Sequence, residues 1–205
     1  MGEKKSDSKK NIDRQSAKVE MKQKIVSSAL TLAVEQGWQY VTLQDIAVHS
    51  EVSLTDMYDC VEHKDDILVL LGRMIDKKVL DNVHYSDDDT TSPRERVFDI
   101  LMDRYDILND HREGIIAILD SFMCDPKQVI ISMPHLCRSM SWMLEASGIE
   151  TSGIKGAIKV TGMTGIYLKV LRTWKTDESK DLSKTMAALD KSLDRAEGVA
   201  NSFGF

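Results

Sequence analysis

Apolar positions along the chain recur every three or four residues and almost never alternate, which is a helical period. Between Val19 and Gln36, the residues Ile25, Ala29, Leu32 and Ala33 share one face. Gly37 ends that helix, since glycine accepts the left-handed backbone of a helix terminus. Trp38 follows and is placed to fold back on the helix end. Thr42 is an N-cap with Asp45 at the third helical position, so a short helix is predicted from Leu43 to Ser50, with Ile46 and Ala47 inward. After a turn at Glu51-Val52, Ser53 caps a second short helix to about Cys60. Lys64 opens a longer one with the stripe Ile67, Leu68, Leu71, Met74 and Ile75.

Tyr85 to Pro93 reads as a polar, turn-rich linker. Ser92-Pro93-Arg94-Glu95 is a helix start with cap, first-position proline and third-position glutamate; Val97, Ile100, Leu101, Tyr105 and Leu108 follow at helical spacing. Glu113 to Met123 reads as a buried helix. Another runs from Pro126 to about Ala146, with Pro134 as a kink or break, and Ser147 to Gly156 is a second loop. Two helices close the chain, from about Ile154 to Trp174 and from Ser179 to Ala200. The last carries Leu182, Met186, Leu189, Leu193 and Ala196 at heptad spacing, the seam expected of a helix-bundle dimer interface. In the helix before it, Gly162 and Gly165 offer close backbone approach.

The fold class that follows is all-α, within 205 residues that suffice for one large domain or a small one joined to a larger one. Cys60, Cys124 and Cys137 are scattered and give no disulfide framework, which suits a reducing cytosol. No apolar run approaches the roughly 20 residues of a membrane span, so a cytoplasmic protein is expected. The net charge of −6 argues against nucleic-acid affinity over the whole surface. The first 24 residues nevertheless carry eight cations against four acids. Residues 1–18 therefore read as a basic, disordered arm able to hold a phosphate backbone. No nucleophile elbow, phosphate-cradling glycine loop or helical histidine pair appears, and His135-Leu136-Cys137 with Cys124 lacks tight four-ligand spacing. The expectation is no enzyme, no metal and no cofactor.

Residues 22–70 resemble the TetR family of transcriptional regulators. The resemblance lies in Ile25, Ala29 and Leu32 with Glu35-Gln36-Gly37, Thr42-Leu43-Gln44-Asp45-Ile46-Ala47, Val52-Ser53, Met57-Tyr58, and Lys64 with Leu68. It implies a helix-turn-helix head over residues 19–66 and a helical ligand-binding and dimerisation body over 67–205. It implies double-stranded operator DNA as partner, a homodimer reading two half-sites, and a small apolar effector that shifts the heads apart. Carried over by position, Thr42 and Gln44 meet phosphates, Ser53 caps the second helix, and Leu54, Thr55 and Asp56 face base edges. Tyr58, His63 and Lys64 hold the DNA backbone. The effector would be lined by soft side chains of the body, namely Met102, Tyr105, Phe122, Met123, Met140, Met143, Met163 and Tyr167.

The head departs from the family pattern in its charge. From Leu43 to Asp66 there are seven acids and one lysine. Asp45 is explained by capping, and Asp65 and Asp66 by a helix start. Glu51, Asp56, Asp59 and Glu62 oppose phosphate binding. The alternative is a lipid- or isoprenoid-binding protein of TetR-like fold with a degenerate helix-turn-helix. That reading resembles the lipid-binding protein of ubiquinone biosynthesis, which shares the Gly37-Trp38 helix end.

Overall fold

The computed structural model describes residues 3–84, 90–122 and 126–203. Among the described residues are nine α-helices, one 3-10 turn and no strand, as the all-α reading requires. They are α1 (Glu3–Gln36), the 3-10 turn (Trp38–Tyr40), α2 (Leu43–Ser50), α3 (Leu54–Tyr58), α4 (Lys64–Asn82), α5 (Pro93–Asn109), α6 (Arg112–Phe122), α7 (Pro126–Ala146), α8 (Gly153–Thr176) and α9 (Ser183–Phe203). Of the expected linker, residues 85–89 lie outside the described set. None of the described helices is long and apolar enough to cross a membrane.

Helix α1 starts at Glu3, well before the apolar stripe at Val19. The segment expected to be a disordered arm holds no proline and, after Gly2, no glycine, so nothing in it stops a helix nucleated downstream. Helix α7 likewise runs through Pro134 without a break; the carbonyl that loses its partner there belongs to Ile130, which is exposed to water.

The chain divides into two compact units, Met1–Leu71 with Glu113–Gln128 and Gly72–Arg112 with Val129–Phe205. A single cut near residue 66 therefore misses the grouping of α6 with the N-terminal helices. Gly114 makes that grouping possible. A Cβ at this position would lie 2.7 Å from the Leu30 Cβ and 3.0 Å from the Leu30 carbonyl oxygen, so only glycine lets α6 come this close to α1.

In the first unit, α1 packs on the 3-10 turn and on α2, and α2 packs on α3. Ile25, Val26, Ala29 and Ala33 of α1, Trp38, Ile46 and Ala47 of α2, Met57 of α3, and Val61 and Ile67 form its core, joined by Ile115 and Ile118 of α6. Each fully buried aliphatic side chain contributes about 1.5–3 kcal/mol. Gly37 sits at φ 85°, a backbone open to glycine, and this turns Trp38 inward to 0% exposure.

In the second unit, α8 and α5 both pack on α9. Leu182, Leu189 and Leu193 are 1%, 0% and 4% exposed, so the apolar seam of α9 is consumed inside its own chain. Met186 stays exposed and Ala196 half-buried. Arg94 of α5 pairs with Asp190, Asp194 and Glu197 along α9.

The α8–α9 connection is built on two polar side chains. Arg112 donates to the carbonyls of Trp174 (2.7 Å), Lys175 (3.3 Å) and Asp177 (2.8 Å), and its guanidinium lies 4.7 Å from the Trp174 ring centre. It so satisfies carbonyls that a helix end leaves without partners. The buried Asp177 carboxylate accepts from the Ser179 N–H (3.1 Å) and hydroxyl, and from the Thr185 N–H and hydroxyl, both at 2.8 Å. Residues Ser179 to Leu182 wind around this carboxylate, with Leu182 at φ 52°, and α9 therefore begins at Ser183 rather than at Ser179. Burial alone would raise the Asp177 pKa, but the Ser179 and Thr185 donors outweigh it and hold the group well below the usual carboxylate range.

Replacing Asp177 by alanine strands the buried Thr185 donors, and we expect a loss of about 2–4 kcal/mol in chemical denaturation. A carboxyl with a depressed folded pKa stabilises above its unfolded value and loses that effect as pH falls through the folded one. The gap between parent and variant should therefore persist from neutral pH down to about 3.8 and narrow only below it.

Candidate nucleic-acid interface

Two short helices joined by a turn form the head, and each is set by its own cap. The Thr42 hydroxyl accepts from the Asp45 N–H (3.1 Å) and donates to the Asp45 carboxylate (2.7 Å), which also accepts from the Thr42 N–H (2.9 Å). These bonds with Thr42 lower the Asp45 pKa. The pattern repeats at α3, where Ser53 Oγ accepts from the Asp56 N–H (3.1 Å) and donates to the Asp56 carboxylate (2.6 Å). At the start of α4 the Asp66 carboxylate accepts from the N–H groups of Glu62 (2.9 Å) and His63 (2.8 Å). Three of the seven acids thus hold helix starts.

This changes how several of the expected DNA contacts are placed. The hydroxyl protons of Thr42 and Ser53 go to carboxylates, and phosphate oxygens only accept, so neither hydroxyl has a proton left over for one. Asp56 is likewise engaged with Ser53 rather than standing free toward a groove. Gln44, Leu54, Thr55, Tyr58 and His63 are exposed, Leu54 at 54% and Tyr58 at 72%. Met57, buried to 1%, fixes which way α3 faces.

Lys64 points inward. Its ammonium donates to the carbonyls of Trp38 (2.8 Å) and Val41 (3.0 Å) and lies 4.8 Å from the Trp38 ring centre. Burial lowers its pKa, with Asp65 opposing. Between Leu43 and Asp66 no other lysine or arginine occurs.

Among the described side chains of the unit, the exposed lysines and arginines lie on α1, where Arg14 and Lys18 fall four apart, with Lys24 further on; Lys22 continues the same spacing and is half-buried. Sequence reading noted this charge but missed its order, because a disordered arm has no faces; the four-residue spacing was the available signal. An open recess of about 510 Å³ also lies between α1 and α2, lined by Leu32, Gln36, Thr42, Gln44, Asp45, Val48 and His49.

Most residues assigned to an effector pocket are core of the second unit. Tyr105 stacks on Tyr167, with ring centres 5.3 Å apart and planes 13° from parallel, and donates its hydroxyl to the Tyr167 carbonyl at 2.9 Å. Met140, Met143 and Met163 are buried and Met102 is half-buried. Burial, then Tyr167, pushes the Tyr105 pKa well above its ordinary value. Beside this stack Arg104 pairs with Asp76, which also accepts from the Ser139 hydroxyl at 2.6 Å. Phe122 lies on α6 in the other unit, and Met123 lies outside the described residues. No group of three His, Cys, Asp or Glu is placed to hold a metal among the described residues.

This arrangement of helices is found in solved transcriptional regulators. A TetR transcriptional regulator from Nitrosomonas europaea superposes with a TM-score of 0.68 at 24% identity, covering 86% of this chain and 98% of the other. A TetR transcriptional regulator from a Rhodococcus species gives 0.55 at 18% identity, over 88% and 97% of the two chains. A TetR-like regulator from the same source gives 0.52 at 17%, over 87% and 96%. The chain has the fold of the TetR transcriptional regulators. No protein-family model and no curated protein matches the sequence.

Glu51 closes α2 in the left-handed conformation, at φ 56° and ψ 31°, where glycine is the ordinary residue. A side chain there costs about 1–2 kcal/mol, offset partly by the greater unfolded-state freedom of glycine. Glu51→Gly should raise stability by roughly 0.5–1 kcal/mol, and the thermal midpoint with it by about 1–4 °C. An unchanged or lower midpoint by calorimetry would show that the Glu51 side chain stabilises the turn.

Proposed function

We propose that this protein is a ligand-responsive transcriptional regulator of the TetR type, a repressor that binds operator DNA as a homodimer. The observation that carries the reading is the face of α3. Between two capped helix starts it exposes Leu54, Thr55, Tyr58 and Asp59 and buries only Met57, the presentation a recognition helix needs to enter a major groove. The acids at Asp45, Asp56 and Asp66 serve caps, so they count less against DNA than the net charge implies. Arg14, Lys18 and Lys24 on α1 supply the phosphate attraction. Gln44, Tyr58 and His63 add neutral or titratable donors, while Thr42, Ser53 and Lys64 hold the frame.

Pairing of two copies is assigned to α8 instead of the α9 seam. Ile154 and Ile158 are 83% and 51% exposed. Further along the helix a Cβ on Gly162 or Gly165 would meet nothing within 4 Å. That combination suits close helix–helix approach by a second copy. An apolar effector reaching Met140, Met143 and Met163 would part the Tyr105–Tyr167 stack, and its preference for the parted state is what would couple it to the heads.

The lipid-binding alternative draws on one observation, the inward turn of Lys64, which leaves residues 43–66 without a free lysine or arginine. One experiment separates the two. Binding of the full chain to its own upstream DNA, followed by fluorescence anisotropy, should weaken steeply as salt rises, and deleting residues 1–18 should weaken it alike on all sequences. Undetectable binding at low salt, with lipid co-purifying in native mass spectra, would replace the regulator reading by the lipid one.

A further inference from the structure

The outward face of α3 has a distinctive chemical content. With Met57 as the inward direction, helical geometry puts Thr55 and Asp59 on the opposite side, Tyr58 and Leu54 along one flank and Asp56 along the other. Asp59 keeps right-handed helical angles, φ −66° and ψ −13°, so it continues this face. Its carboxylate has no hydrogen-bond or ion-pair partner among the described residues, unlike that of Asp56, which Ser53 holds. The face carries no Arg, Lys, Asn or Gln.

Each base pair offers the major groove a fixed set of groups. Guanine presents N7 and O6, two acceptors, and the side chains that grip both are arginine and lysine. A carboxylate set against them would oppose acceptor to acceptor. The same face does suit other groups. The Thr55 methyl and the Leu54 isobutyl group match the C5-methyl of thymine, and a carboxylate accepts from the N4 amino group of cytosine.

We propose that α3 reads DNA through thymine methyl groups and a cytosine amino group, without contacts to guanine edges; this rests on the DNA-binding reading above. Leu54 and Thr55 pack on the methyls, and Asp59 accepts from the amino group. The negative charge of Asp59 is then selective, because it disfavours every step that lacks a donor at that place.

The test begins with the full chain and a duplex library randomised over about 30 base pairs, long enough for two half-sites, selected at about 50 mM salt, where phosphate attraction is strong. The enriched duplex is resynthesised with deoxyuridine in place of thymidine, a change that removes only C5-methyl groups. Affinity should fall about fourfold for each methyl in contact. Thr55→Ser, an exposed change that keeps the hydroxyl and loses the methyl, should weaken binding of the thymidine duplex and leave the deoxyuridine duplex unchanged. Asp59→Asn should move the selected base from cytosine toward adenine, whose N6 and N7 suit an amide. Indifference to the deoxyuridine exchange, or an unaltered base preference with Asp59→Asn, overturns the proposal while DNA binding stands. Failure to enrich any duplex at low salt overturns it together with the DNA-binding reading.

Discussion

The geometry of the head depends on the ammonium group of Lys64. The first residue of α4, it reaches back to the carbonyls of Trp38 and Val41 and rests on the Trp38 ring. Those carbonyls belong to the corner between α1 and α2. Helices of the length of α2 and α3 are unstable alone in water, so they persist because both flanks are fixed to each other. A cation over an indole contributes about 0.5–2 kcal/mol, and its hydrogen bonds serve the Val41 carbonyl and add a second donor at the Trp38 carbonyl, which also accepts from the Val41 N–H. Trp38, in turn, is buried because Gly37 takes a backbone conformation few other residues tolerate.

The same economy of local polar groups resolves much of the conflict between shape and charge. Asp45, Asp56 and Asp66 each bond backbone or hydroxyl donors at a helix start, where a negative charge also suits the helix dipole. The helix-turn-helix is acidic partly because its short helices are heavily capped. On the DNA-binding reading proposed above, attraction to phosphate falls to α1, which carries Arg14, Lys18 and Lys24 exposed on the same helix whose C-terminal half contributes to the core of the head.

Features set by neighbours three residues apart were legible in the sequence. The caps at Thr42, Ser53 and Ser92, the helix end at Gly37 and the all-helical class belong to this kind. Features set across long separations were not. A lysine opening a helix looks the same whether its amine turns outward or, as here, toward a residue 26 positions earlier. A heptad stripe shows that Leu182, Leu189 and Leu193 are buried but not by what, and α8 and α5 claim them before a second copy can. Gly114 lies inside a helical pattern, where nothing local reveals that it admits α1. The start of α9 was misplaced because Asp177 gathers the next residues around its carboxylate instead of letting them enter the helix.

Lys64 joins the start of α4 to the corner between α1 and α2, and its ammonium faces inward rather than toward a DNA phosphate. The salt dependence of DNA binding by the parent protein and by Lys64→Met tests it most directly. A lysine that neutralises one phosphate lowers the slope of log affinity against log salt by about 1 when removed. The structure predicts a head less stable to heat but an unchanged slope once both proteins are measured well below their melting temperatures. A slope reduced by about one unit with stability unaltered would contradict it.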